Sequence, residues 1–127
     1  MIKIILADDH NLFRDGMKLL LNSTRKMQVI AEASNGREFL DLLDDGIEAD
    51  VVLLDIEMPV MNGIEATQKA LERYPELKII SLSMYDDEEY YSKMIEAGAK
   101  GFILKSSDLK EVIDAINAVM NGNTYFS

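Results

Sequence analysis

Val51-Val52-Leu53-Leu54, with Asp55 directly behind it, is a continuous apolar run that ends on a carboxylate. A strand with one wet face would alternate apolar and polar residues. A short unbroken run rich in valine reads instead as a strand covered on both faces. Working outward, four more short runs share its character: Ile2–Ala7, Gln28–Ala33, Lys78–Ser83 and Gly101–Leu104, beside the central Asp50–Leu54. Between them lie longer amphipathic stretches. Leu12, Met17, Leu20 and Leu21 mark a first helix, and Phe39, Leu40, Leu42 and Leu43 a second. Ile64, Thr67, Ala70 and Leu71 mark a third, stopped before Pro75. Tyr90, Tyr91, Met94 and Ile95 mark a fourth, with Gly98 placed as its C-terminal glycine. Leu109, Val112, Ile113, Ile116, Val119 and Met120 recur at helical spacing in a fifth, with Ser107 as the expected N-cap.

Strand and helix thus alternate five times. That order implies an α/β fold, a parallel sheet with helices on both faces. The expected form is the doubly wound, flavodoxin-like (βα)5 arrangement with strand order 2-1-3-4-5. Asn121–Ser127 shows no periodicity and reads as an exit segment.

Composition narrows the function. The chain has 127 residues, 48% of them hydrophobic, enough for one domain with a real core. It has no cysteine, so disulfide frameworks and thiolate metal sites are excluded. A net charge of −10 repels phosphate backbones and anionic membrane surfaces, so no nucleic acid and no membrane partner is expected for this segment. The apolar start turns acidic at Asp8-Asp9, too soon for a signal peptide, and the expected location is the cytoplasm.

In an open α/β sheet, ligands bind beyond the carboxyl ends of the strands, where strand order reverses. The first strand ends at Asp8-Asp9, the third at Asp55, the fourth at Ser83 and the fifth at Lys105. In the expected order these ends converge on one cleft. Two carboxylates about 5 Å apart repel by roughly 3 kcal/mol at an effective dielectric of about 20. Three carboxylates are tolerable only with a compensating cation or raised pKa values. Lys105 supplies one charge and a divalent ion two more. With oxygen donors only, Mg2+ is the expected ion. Mg2+, a lysine, a hydroxyl and a carboxylate nucleophile are the equipment of phosphoryl transfer. Asp55, alone at the end of the central strand, is the candidate acceptor, with Asp8 and Asp9 holding the metal. Taken singly, each residue has a plainer reading: an Asp pair as a turn, Lys105 as a surface lysine, the lone His10 as a helix cap or rim residue. The joint placement carries the argument.

Ala7-Asp8-Asp9-His10, Leu54-Asp55-Ile56-Glu57-Met58-Pro59 with Gly63, Ser81-Leu82-Ser83 and Phe102-Ile103-Leu104-Lys105 resemble the receiver domain of two-component response regulators. Asp8-Asp9-His10 with Leu12, Arg14 and Gly16, and the ending Gly122–Ser127, resemble the NarL-type (LuxR/FixJ-like) subfamily. The resemblance implies that Asp55 takes a phosphoryl group from a sensor histidine kinase. It implies that Asp9 ligates Mg2+ together with Asp55 and the main-chain carbonyl of Glu57, with Asp8 acting through water. Lys105 would pair with the phosphoryl oxygens, Ser83 would move toward them, and Phe102 would be the switch aromatic. It also implies a receiver over residues 1–121, and a linker starting at 122–127 toward a C-terminal helix-turn-helix domain that binds DNA. Homodimerisation on phosphorylation would follow. Two departures stand out. Ser106 follows Lys105 where many receivers carry a cis proline, and a cis bond before serine costs about 2.5–4 kcal/mol. Phe102 has no hydroxyl, so a weaker rotamer readout is expected than for tyrosine.

Three other functions compete. A receiver fold that is never phosphorylated would be a constitutive interaction module, and it would not need the acid cluster. A phosphohydrolase with an aspartyl intermediate commonly has a second Asp two residues on, where this chain has Glu57. A flavin carrier would set three carboxylates against the cofactor phosphate.

Overall fold

The computed structural model describes residues 1–126. The elements are β1 (Ile2–Ala7), α1 (Asn11–Ser23), β2 (Met27–Ala33), α2 (Gly36–Asp44), β3 (Val51–Asp55), α3 (Gly63–Arg73), β4 (Lys78–Ser83), α4 (Glu88–Ala97), β5 (Gly101–Leu104) and α5 (Leu109–Met120). All strand pairs are parallel, in the order β2-β1-β3-β4-β5. This is the flavodoxin-like sheet expected from the alternation.

The unbroken runs are explained by two cores. Alternate strand residues point to opposite faces. Ile4, Leu6, Val51, Leu53, Ile80 and Leu82 pack with Met17 and Leu21 of α1 and Val112, Ile116 and Val119 of α5. Ile5, Ala7, Val52, Leu54 and Ile79 pack with Phe39, Leu40 and Leu43 of α2 and Ala66 and Ala70 of α3. Every residue of β3 is buried, so the central strand delivers Asp55 into a place water does not reach freely. A smaller cluster of Ile56, Met94, Ala99 and Phe102 seats α4.

Side-chain caps fix where the helices begin. Asn35 accepts from the N–H of Glu38, Asn62 from that of Glu65, and Asp87 from that of Glu89. For α5 the cap is Asp108, which accepts from the N–H of Glu111, and not Ser107. A carboxylate there also meets the positive end of the helix dipole. Gly98 ends α4 with φ +105, the left-handed conformation expected of it. Leu12 and Leu20 depart from the core expected of α1, being 88% and 47% exposed. Among the described residues no peptide bond is cis, so Lys105–Ser106 is trans. No helix among them is long and apolar enough to cross a membrane.

The segment after α5 does more than leave the fold. Tyr125 pairs with Gly101 at the open edge of β5: the Phe102 N–H donates to the Tyr125 carbonyl at 2.9 Å, and the Tyr125 N–H to that of Lys100 at 2.9 Å. The Tyr91 hydroxyl donates to the Phe126 carbonyl at 2.8 Å. The Tyr91 ring stands edge-on to both Phe102 and Phe126, with centroids 5.1 and 5.9 Å away. Ser127 lies outside the described residues. The Tyr91→Phe variant keeps the ring and loses the hydroxyl bond. It is expected to cost about 1 kcal/mol and to speed amide exchange at Tyr125 and Phe126. Unchanged exchange there would mean that backbone pairing alone holds the segment.

Candidate functional site

The parallel strands all end on one side, and their last residues set the site. Asp55 is the last residue of β3 and Ser83 the last of β4. Asp8 follows β1, its N–H held by the Ala33 carbonyl at 2.9 Å. Lys105 follows β5, its N–H donated to the Ser83 carbonyl at 2.8 Å, so the ladder fixes the lysine backbone beside the fourth strand.

Lys105 is the hub. Its side chain is 4% exposed. Nζ lies 2.8 Å from Asp8 Oδ2 and 3.1 Å from Asp55 Oδ2. Both distances suit ion pairs, yet neither carboxylate oxygen has a well-aligned hydrogen bond, and Asp9 Oδ1 also lacks one. Asp8 and Asp55 are 0% and 2% exposed. Burial pushes the Asp55 carboxyl up to about 7; the neighbouring Asp8 charge adds to this, and Lys105 pulls the other way. One ammonium does not balance this cluster.

Asp9, Asp55, Glu57 and Ser83 line a cleft of about 140 Å³, together with His10, Ile56, Met84 and Tyr85. The Glu57 carboxylate lies beside the Tyr90 hydroxyl of α4 and raises that phenol. Ser83 faces the loop that follows it: Oγ donates to the Tyr85 carbonyl at 2.7 Å and accepts from its N–H at 3.1 Å. Phe102 stands apart from the acids, buried against Ile56, Met94 and Ala99.

Oxygen atoms that are buried, anionic and short of partners are what a hard divalent cation needs. Asp8, Asp9, His10 and Asp55 each offer one ligand atom, and these all lie within 4.8 Å of one another. The donors fit Mg2+.

Two residues make contacts that the sequence reading did not foresee, although His10 is the rim residue expected of it. His10 sits at the N-cap position of α1, but its side chain makes no capping bond. Asp8 does the local work, accepting from the His10 N–H at 2.8 Å. The His10 ring turns inward, with Nδ1 2.8 Å from Lys105 Nζ. Its place directly after the Asp pair was the available signal. Arg14 reaches back from α1 to donate to the Asp8 carbonyl at 2.6 Å and pairs with Glu32 at 3.3 Å, steadying the acidic turn. Only its position one helical turn after His10 hinted at this.

Comparison with known proteins agrees with the geometry. Residues 4–117 match the family model for the response regulator receiver domain. The chain is 39% identical over 98% of its length to the transcriptional regulatory protein DegU of Brevibacillus brevis, and 43% identical over 98% to the oxygen regulatory protein NreC of Staphylococcus epidermidis. It spans 52% and 57% of those proteins, about half their length. Among solved structures it resembles a LuxR-family two-component response regulator from Aurantimonas, with a TM-score of 0.92 and 32% identity, covering 98% of this chain and 89% of that one. It also resembles a LuxR-family DNA-binding response regulator from Staphylococcus aureus, with a TM-score of 0.88 and 27% identity, covering 95% of this chain and 100% of that one. A strand-end acid cluster, a buried lysine, a five-stranded parallel sheet and these matches lead to one assignment: the chain belongs to the response regulator receiver domain family, and is of the NarL (LuxR/FixJ-like) type.

Proposed function

We propose that this receiver is a phospho-acceptor switch that takes a phosphoryl group from a histidine kinase onto Asp55. The observation that carries the reading is a buried carboxylate at the end of the central strand, 3.1 Å from a buried ammonium and beside two further acids. An Asp55 carboxylate oxygen attacks the phosphorus of the phosphohistidine. The P–O bond forms as the P–N bond breaks, and the imidazole leaves with the nitrogen electron pair. The product is an acyl phosphate on Asp55. Asp8, Asp9, Asp55 and the Glu57 carbonyl would hold Mg2+, which when bound neutralises charge on the transferring oxygens. Lys105, already beside Asp55, supplies a fixed positive charge at no cost in reorganisation.

Phosphorylation adds negative charge and strong acceptor oxygens at Asp55. Ser83 then has a better acceptor than the Tyr85 carbonyl, and its departure loosens the loop before α4. Phe102 lies against α4 and touches Tyr91, so the fourth helix and fifth strand form the surface expected to respond. The rest of a regulator of this type would be a DNA-binding helix-turn-helix domain working in the cytoplasm, with phosphorylation favouring a homodimer.

The test is incubation with Mg2+ and a small acyl phosphate donor, read by intact mass. One added phosphoryl group is expected, lost with a chelator and absent in Asp55→Asn. A full mass increment that persists in Asp55→Asn would refute the assignment. No increment in the unaltered chain would favour a constitutive interaction module.

A further inference from the structure

We infer that His10 turns this site into a mixed oxygen–nitrogen centre, which takes transition divalent ions through the imidazole while Mg2+ uses the oxygens alone. The inference rests on the metal-site reading proposed above and extends it by one ligand. His10 is the chain's one histidine. Its Nδ1 lies 3.3 Å from Asp8 Oδ1 and 3.8 Å from Asp9 Oδ1. With metal–ligand bonds of about 2.1 Å, neighbouring ligands of one ion stand roughly 3 Å apart and opposite ones roughly 4.2 Å. Both spacings fall within that range.

The ring is also turned the right way. Lys105 Nζ has only protons to offer, so at 2.8 Å it must meet the lone pair of His10 Nδ1. In the Nε2–H tautomer that lone pair points into the acid cluster. Asp8 Oδ2 and Asp55 Oδ2 are buried without an aligned hydrogen bond and face the same space. The imidazole is 53% exposed, so it can follow an ion without repacking the core. An ion that engages Asp8 and His10 takes two of the groups now around Lys105, and leaves its ammonium to Asp55. Imidazole suits zinc and the later transition metals, whereas Mg2+ prefers carboxylate, carbonyl and water. One side chain thus sets which ions compete with Mg2+.

The experiment uses the whole chain and His10→Ala, with Mg2+ and Zn2+ titrated by calorimetry and Mn2+ by pulsed EPR. Imidazole nitrogen modulation is expected from Mn2+ in the unaltered chain and is lost in His10→Ala. Zn2+ affinity is expected to fall roughly tenfold or more in the variant, with Mg2+ affinity unchanged. The EPR readout on the unaltered chain requires no variant to fold. Mn2+ bound without nitrogen coupling, with equal Zn2+ affinity in both proteins, overturns the role of His10 and leaves the oxygen site standing. Failure of the unaltered chain to bind any of the three ions overturns both readings.

Discussion

Asp55→Asn is expected to stabilise the metal-free protein by about 2–4 kcal/mol at pH 8. The carboxyl rises from 3.8 to about 7 on folding, first through burial and then through the charge of Asp8. The folded chain therefore holds this proton more tightly than the unfolded chain does. The resulting stability is fully present below pH 3.8, declines as pH rises, and is lost once pH passes about 7. A tenfold change in proton affinity corresponds to about 1.4 kcal/mol, so folding Asp55 in its charged form costs about 4 kcal/mol. Asparagine removes that cost, though its amide suits Lys105 less well than a carboxylate does. Urea unfolding in chelator, at pH 5 and pH 8, measures the difference. The advantage of the variant should be larger at pH 8.

Adding Mg2+ should reverse the order. An ion that binds only the folded state stabilises it by mass action, and the variant lacks one of the carboxylates proposed to hold it. The same carboxylate is thus a liability in the empty site and an asset in the filled one. A variant less stable than the parent at pH 8 in chelator would show that Lys105 already offsets the burial of Asp55.

What could be read from the chain follows from how strong each local signal was. Val51–Leu54 and Ile4–Leu6 are continuous because both sheet faces are covered, and no other common architecture buries such short strands so completely. Strand order then brings Asp8, Asp55 and Lys105 together, since each follows or ends a strand of the same parallel sheet. Periodicity was a poorer guide on α1, where Leu12 and Leu20 continue the apolar spacing yet face outward. A spacing pattern reports which residues share a face; it does not say where burial stops. Tyr125 and Phe126 carry no periodic signal, because one residue pairing with an open strand edge and one carbonyl held by a tyrosine hydroxyl are too few to make one. His10 was hidden for a different reason. Its role depends on a lysine ninety-five positions away, a relation that only the fold creates.

Gly63 offers the other large effect, and a paired substitution isolates its cause. Gly63 opens α3 directly behind the Asn62 cap, with its N–H donated to the Ile56 carbonyl at 2.7 Å. A Cβ built there would run into the Asp55 carbonyl oxygen, with the Asp55 carbonyl carbon at 3.0 Å and the Ile56 Cα at 2.9 Å. All three are backbone atoms, so no rotamer relieves the clash. Gly16, within α1, has nothing within 4 Å of the same added carbon. Gly→Ala favours a helix by about 0.8–1 kcal/mol wherever space allows. Gly16→Ala is therefore expected to stabilise by about 0.5–1 kcal/mol. Gly63→Ala is expected to destabilise by about 3 kcal/mol or more, because overpacking against backbone outweighs the helix preference. The strain falls on the peptide that carries Asp55, so phosphoryl uptake should slow even where the variant still folds. Opposite signs in urea unfolding are the expected result. A neutral or stabilising Gly63→Ala would mean that the β3–α3 loop yields easily, and that close backbone packing does not fix the position of Asp55.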